Sequence, residues 1–488
     1  MILFSITCKD VYLIVVSFFI LLMLTTRNNV SYLKKLSLLG SIVIFIIFLL
    51  QNVIFSNQFT WQFSSSLEWT NLQLLQSWGT NFHQDSISHF FIGLSIVLTI
   101  ICYLISWDNI KFLNKEFILL IYFSLIVLIG VFSTSDILIF YILFESSLIP
   151  LFLIIGIWGS REEKVRAAFY FFFYTLIGSL LMLLSIFKIY LLTGSTNIFY
   201  LYNIELPFYY QFWFFITFLI SFAVKFPMVP VHVWLPQAHV EAPLAGSVLL
   251  AGILLKLGGY GFIRFLNPLF PIAFEYFSPF VILMSIIAII YGGLTTCRQN
   301  DVKRLIAYSS VSHMGFVSLA IFTHTIEGLC ASILMMLAHG FSSSGLFMSA
   351  GVIYNRFHTR TIKYYKGLTA SMPILSGVTL ILTLANIGFP LTFNFIAEFF
   401  TILSAFNYSW LVGLVSSIGL IISTIYALYL YNRIFFGYSN SYLILTRQVS
   451  LLEFNPLMVL VIFIILFGLN PNMITNSLLF VCYKNVSF

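Results

Sequence analysis

Runs of about 20 apolar residues recur along the whole 488-residue chain, and each is long enough to cross a ~30 Å hydrocarbon core as a helix. That repetition leaves few folds open. In lipid the backbone has to satisfy its own hydrogen bonds, which only helices and closed barrels do. Unbroken apolar stretches such as 180–189 lack the in-out alternation of barrel strands. The sequence therefore predicts an all-α polytopic membrane protein of about fourteen transmembrane helices. The expected spans lie near 11–24, 36–55, 87–107, 117–133, 136–157, 167–192, 211–239, 243–265, 279–297, 304–322, 327–354, 373–405, 410–432 and 456–469. The seventh and twelfth are interrupted. With 60% hydrophobic and 8% charged residues, a soluble fold is excluded.

The formal charge of +7 would suggest nucleic acid in a soluble chain. Here the basic residues sit in short loops, so the partner they imply is the bilayer and no nucleic acid is expected. Seventeen of the 23 fall in odd-numbered loops: Arg27, Lys34 and Lys35; Lys111 and Lys115; Arg161, Lys164 and Arg166; Arg298, Lys303 and Arg304; Arg356, Arg360, Lys363 and Lys366; Arg433 and Arg447. By the positive-inside rule those loops face the matrix or cytoplasm and both termini face the other side. Of the rest, Lys9 and Lys484 lie in the tails, Arg264 ends the eighth span, and Lys188 can snorkel to the headgroups. Cys8, Cys102, Cys297, Cys330 and Cys482 are far apart in sequence and form no CxxC pair, so neither a zinc site nor an iron–sulfur cluster is expected. No cleavable signal precedes the first span. The 55 Phe, with abundant Ile, Tyr and Asn, suit an AT-rich genome, an organelle's or a bacterium's alike.

Lys225, Lys256, Glu145 and Glu398 cannot be explained by loops or snorkelling. Each falls well inside an expected span, where an ionised side chain costs ~2.5–3.5 kcal/mol on insertion scales. One reading is that Glu145 and Lys225 only glue helices together, but an apolar pair would do this without the desolvation cost. The other is that buried Lys and Glu carry protons, since their proton affinities move readily with surroundings. His313 and His339 lie at similar depth and extend the series. His232 and His239, seven residues apart around prolines, make a poor metal site; His83, His89, His324 and His358 read as interfacial.

Phe226-Pro227-Met228 in the seventh span has a counterpart 163 residues on in Phe389-Pro390-Leu391 of the twelfth, and Glu145-Ser146-Ser147 maps onto Tyr308-Ser309-Ser310 at the same offset. A shift of five spans is odd, so the pattern predicts two inverted five-helix repeats, each with a Pro-broken helix, as in ion-carrying transporters. The segments would be 1–115, a first repeat at 116–266, an inverted second at 275–438, and 439–488 with the last span and a tail. Proline withholds a backbone donor, so freed carbonyls should draw water beside Lys225 and near Asn386 and Asn394. The Gly340-Phe-Ser-Ser-Ser-Gly345 stretch is assigned to helix packing.

Phe144-Glu145-Ser146-Ser147-Leu148-Ile149-Pro150, the run Lys225 to Pro236, Ala238-His239-Val240-Glu241-Ala242-Pro243, Leu254-Leu255-Lys256, Tyr308 to Met314 and Leu337-Ala338-His339-Gly340 resemble the antiporter-like proton-pumping membrane subunits of respiratory complex I, NADH–ubiquinone oxidoreductase. The resemblance spans roughly Trp107 to Phe436. Glu398 is similar to the chain 4 branch, where the chain 2 and chain 5 relatives carry Lys, and the chain is too short for the lateral helix of the chain 5 relatives. The resemblance implies Glu145 and Lys225 as an input pair, Lys256 with His313 and His339 as the central relay, and Glu398 as the exit carboxylate. It implies chain 2 and chain 5 relatives as flanking subunits and a place in the mitochondrial inner membrane with both termini in the intermembrane space. The sequence has no strand-preceded GxGxxG, no GxxxxGK[ST] loop and no cluster ligands, so NADH, FMN, iron–sulfur clusters and ubiquinone would belong to partner subunits. Leu391 and Phe393 depart from the small residues usual after the second Phe-Pro, and Gln237 replaces a frequent charge. A cation/proton antiporter subunit and a pumping-silent structural subunit remain open as alternatives.

Overall fold

A computed structural model describes residues 15, 19–20, 30–54, 62–67, 80–438 and 448–486. Among these, twelve helices are long and apolar enough to span a membrane. They correspond to the second to eleventh, thirteenth and fourteenth expected spans. The first expected span lies outside the described residues except for 15, 19 and 20, as do Cys8, Lys9, Arg27 and Arg447.

In chain order the principal helices are α1 (Val30–Ile54), α2 (Ser86–Asn109), α3 (Asn114–Ser133), α4 (Ile137–Ser146), α5 (Leu148–Trp158), α6 (Lys164–Thr193), α7 (Phe208–Lys225) and α8 (Trp234–Glu241). Next come α9 (Leu244–Leu269), α10 (Pro271–Cys297), α11 (Val302–Phe322), α12 (Ile326–Phe357), α13 (Pro373–Ile387), α14 (Phe393–Tyr408), α15 (Trp410–Phe435), α16 (Leu451–Leu469) and α17 (Asn472–Val486). A short antiparallel pair, β1 (Gln62–Leu67) and β2 (Thr80–Gln84), precedes α2. Where a tail was expected after the last span, α17 instead packs back on α2 and α12.

Polar contacts sort the loops into two sets, as the basic residues imply. Asn355 donates to Asn109 (3.1 Å), Arg356 binds Glu453 through two hydrogen bonds (2.7 and 3.1 Å), and Arg360 reaches Glu241 (3.5 Å) and the Ser160 hydroxyl. All of these join odd-numbered loops or the helix ends beside them. Even-numbered loops meet one another through the Phe82–Thr134 and Asp136–Asn197 bridges and the Arg264–Asp85 ion pair. Lys303, expected in a loop, is instead buried in the first turn of α11 with its Nζ on the Ala242 carbonyl at 3.0 Å.

Both interrupted spans break at their prolines. α7 stops at Lys225 and α8 starts at Trp234; α13 stops at Ile387 and α14 starts at Phe393. The fifth span, expected to be continuous, also has a turn at Ser147 between α4 and α5. Pro150 explains it, since it cannot donate to the carbonyl four residues back. The first long break is satisfied mostly by protein. The Val224 carbonyl accepts the Trp234 indole N–H at 2.9 Å, and that of Ala223 accepts the Met228 N–H at 3.0 Å. The expectation that water takes those carbonyls is corrected at these two groups.

α9 and α12 form the centre, buried from Ala245 to Leu269 and from Gly328 to Ile353. Sequence reasoning did not foresee that α9 widens into π turns at Leu250–Leu254 and Phe262–Leu266. Gly252 and Gly340 bring the two backbones together: a Cβ on Gly340 would lie 3.1 Å from the Gly252 carbonyl and 2.9 Å from Leu94. The packing role expected for Gly340 agrees with this. Gly252→Val should destabilise the helix contact by about 1–3 kcal/mol, read as a lower unfolding midpoint in detergent. Gly377→Ala, in a helix with open space around its Cα, should leave the midpoint unchanged or slightly higher.

Candidate functional site

Of the six sequence-predicted residues, four form one series. Lys256 and His339 have no exposed surface; His313 is 1% and Glu398 3% exposed. The wide π turn lets the Lys256 Nζ fold back on the Ala251 carbonyl (2.5 Å), and its other contact is His339 Nδ1 at 3.0 Å. The His339 and His313 ring centroids are 5.5 Å apart, tilted by 49°. His313 Nδ1 lies 3.6 Å from Glu398 Oε1. The series therefore passes from α9 to α12 to α11 to α14, across the helix axes.

The far end has partners that no local pattern signals. The Tyr426 hydroxyl, from α15, is 3.3 Å from His313 Nε2, and Asn386, at the end of α13, lies beside both His313 and Tyr426. Asn386 was expected beside the break; Tyr426 was not, being one tyrosine among several in an apolar helix. Gly388 ends α13 in a left-handed turn (φ 76°), and a Cβ there would overlap the Glu398 carboxylate. The proline break thus lets the chain reverse close against the carboxylate.

Glu145 and Lys225 stand apart from that series. Lys225 is the last residue of α7 and buried; its Nζ donates to the Phe144 carbonyl (2.5 Å) and sits 3.2 Å from the Phe144 ring centroid. Such a placement combines a carbonyl bond with a cation–π contact. Glu145 is close enough to act on Lys225 electrostatically and lies by the Ser179 hydroxyl. However, the two are not among the ion pairs within 4.0 Å formed by the described residues. The two are electrostatic neighbours without a direct ion pair, Lys225 turning instead to the Phe144 carbonyl and ring. Glu145 is half-buried at the edge of the bundle, beside exposed Ile142 and Ile149, with its Oε1 turned inward. Between Lys225 and Lys256, Gly258 packs on the Phe222 carbonyl and Phe226 (2.8 Å each for an added Cβ).

Several readings outside the series change. His89 is not interfacial but buried, stacked on Phe48 at 4.5 Å. His324 sits in a turn with its edge to Phe274 at 4.4 Å, and partial burial lowers its proton affinity. His239 is buried flat against Phe347 at 4.5 Å, whereas His232 meets Tyr291 and Tyr308 edge-on. Cys330 and Cys482, distant in sequence, are hydrogen-bonded to each other, and both thiols are free. Leu391 takes a left-handed conformation and is exposed, with Gly468 of α16 against the backbone of Leu391 and Thr392.

This arrangement can hold a proton at several sites and pass it between groups within or near hydrogen-bond reach. Residues 134–425 match the model of the family described as NADH:quinone oxidoreductase/Mrp antiporter, TM. Among curated relatives, NADH-ubiquinone oxidoreductase chain 4 of Metridium senile is 54% identical over 452 residues, covering 92% of each chain. The protein of the same name from Chondrus crispus is 50% identical, covering 81% of each. Among solved structures, a chain of respiratory complex I from Thermus thermophilus with bound NADH superposes with a TM-score of 0.88 at 28% identity over 98% of both chains.

Gly388→Ala should cost about 1–3 kcal/mol from left-handed strain and overlap with the carboxylate. Part of that loss should return in Gly388→Ala with Glu398→Ala, giving a non-additive cycle in thermal unfolding.

Proposed function

Because this chain belongs to the NADH:quinone oxidoreductase/Mrp antiporter family and is a chain 4-type membrane subunit of NADH–ubiquinone oxidoreductase, we propose that it translocates protons through Lys256, His339, His313 and Glu398. The observation that carries the reading is the short series of contacts among these four buried residues (3.0 Å, 5.5 Å between ring centroids, 3.6 Å). A helix-gluing role needs two partners in contact, not four groups in line on four helices. The relatives named as complex I chains, at 42–54% identity, favour this over a cation/proton antiporter.

The proposed mechanism follows from placement. With the Glu145 charge nearby, Lys225 holds its proton on the Phe144 carbonyl side. Glu145 is partly exposed at the edge of the bundle, so a neighbouring subunit can draw its charge away, and Lys225 then releases the proton toward Lys256. That step crosses the Phe226–Gly258 contact, which ordered water has to bridge. His339 Nδ1 accepts from Lys256, the tilted imidazole pair passes the proton on, and Glu398 takes it beside Tyr426 and Asn386. His339 Nε2, His313 Nδ1 and Glu398 Oε1 are buried without a hydrogen-bond partner inside the protein. Each would cost about 1–3 kcal/mol if left so, and a water thread along the seam satisfies all three. Moving one charge against ~100 mV costs ~2.3 kcal/mol, close to the ~2.7 kcal/mol of a two-unit change in proton affinity.

In the same reading NADH, FMN, iron–sulfur clusters and ubiquinone are held by partner subunits, with chain 2 and chain 5 relatives on either side. The membrane is the mitochondrial inner membrane, with odd loops toward the matrix and both termini toward the intermembrane space. Glu145 and Lys225 form the input and Glu398 the outlet; the two Pro-broken spans belong to inverted repeats.

Lys256→Met in the assembled complex should abolish proton pumping and lower NADH–quinone turnover by roughly a hundredfold, the scale of losing a positioned acid–base group. Coupled wild-type turnover would end the proposal. Joint replacement of Glu145 and Lys225 by Leu should leave the complex assembled but uncoupled; retained pumping would assign the pair to helix packing.

A further inference from the structure

The geometry points to the buried Arg264–Asp85 pair as an electrostatic seal that stops the Lys256 proton from leaving directly along its own span. This rests on the proposed role of Lys256 as a proton carrier. Arg264 lies eight residues beyond Lys256 on α9, about 12 Å along the helix axis. It stands between Lys256 and the even-loop face, the face opposite the Lys303–Glu241–Arg360 cluster.

The route is closed in two layers. Nearest Lys256, three glycines pull neighbours against α9: an added Cβ would meet Phe226 and the Phe222 carbonyl at Gly258, Met336 at Gly259, and the Phe222 ring at Gly261. Tyr260 fills the next turn, with Phe132 at 5.2 Å, Phe91 at 6.1 Å and Phe140 at 6.4 Å between ring centroids. Its hydroxyl is engaged by the Phe132 carbonyl at 3.1 Å and by Arg264. This layer is aromatic and closely packed.

Beyond it stands a fixed cation. Arg264 Nη1 is 2.8 Å from Asp85 Oδ2, and both side chains are 6% exposed. The Arg264 carbonyl accepts the Tyr202 hydroxyl at 2.7 Å. Asp85 is held independently as the cap of α2, its Oδ1 accepting the Ser88 N–H at 2.9 Å. A guanidinium keeps its proton at all physiological pH values and offers no acceptor, so it cannot relay one. Its charge also repels an approaching cation, the device by which a single arginine excludes protons from a narrow pore. Both Asp85 oxygens are engaged, Oδ2 by Arg264 and Oδ1 by the Ser88 N–H. Meanwhile the sideways path through His339 is polar. The seal therefore directs the proton across the helices instead of out along α9.

A helix clamp would need both charges equally, whereas a seal needs only the cation. The test is passive proton entry into vesicles holding the assembled complex, without NADH, under a potassium diffusion potential and read by a pH-sensitive dye. A proton passing within about 12 Å of one unit charge, at an effective dielectric near 20, has its occupancy shifted about tenfold. Arg264→Gln should raise passive proton entry by about that factor, and adding Lys256→Met should restore tightness. Asp85→Asn should stay as tight as the parent. If Arg264→Gln fails to assemble, Arg264→Gln with Asp85→Asn removes the stranded carboxylate and carries the same expectation. A tight Arg264 variant, or Asp85→Asn leaking equally, overturns the seal. Because the readout needs no turnover, it fails separately from the pumping proposal, which Lys256→Met alone tests.

Discussion

A charge placed in the hydrocarbon layer must find polar company within a few ångströms, and much of this structure follows from how the buried charges find theirs. Lys256 turns back on the Ala251 carbonyl and forward on His339. Lys225 uses the Phe144 carbonyl and ring, Arg264 uses Asp85, and Lys303 uses the Ala242 carbonyl. Apart from His339, none of these partners is supplied by regular helix alone. They need a π turn, a helix end or a capping residue from another element. The irregularities lie where the charges are.

Those irregularities also decide how tightly the helices approach. Glycines at 252, 258, 259, 261 and 340 let α9 lie directly against α7 and α12, removing room for lipid or bulk water around Lys256. Close packing of small residues is the usual means of association where no hydrophobic drive acts between helices. Here it has a second effect. It leaves the line of His339, His313 and Glu398 as the polar direction away from Lys256, while Phe222, Phe226 and Tyr260 occupy the direction along the span.

The lateral series joins Lys256, His339, His313 and Glu398 from four different helices. Successive side chains on one helix point to different faces, so a short path between titratable groups is easier to build across neighbours than along one of them. Tyr426 and Asn386 then hold the His313 ring from the far side. Glu145, partly exposed at the edge of the bundle, is the member of the set placed to feel what lies beside it.

Much was legible in the sequence because the bilayer makes simple demands. The period of apolar runs located the spanning helices of the described residues, the parity of basic residues separated two faces that the loop contacts reproduce, and depth within a span singled out Lys225, Lys256, Glu145, Glu398, His313 and His339. Prolines marked both breaks. What these rules could not reach is which buried group touches which. Tyr426 and Ser179 look like ordinary span residues, Arg264 reads as a terminal cation until Asp85 arrives from 179 residues away, and the π turns leave no compositional trace. Hydropathy and charge are properties of a segment facing a solvent, so the chain itself determines them; contacts among buried polar atoms depend on angles and registers between helices, which only their joint packing decides.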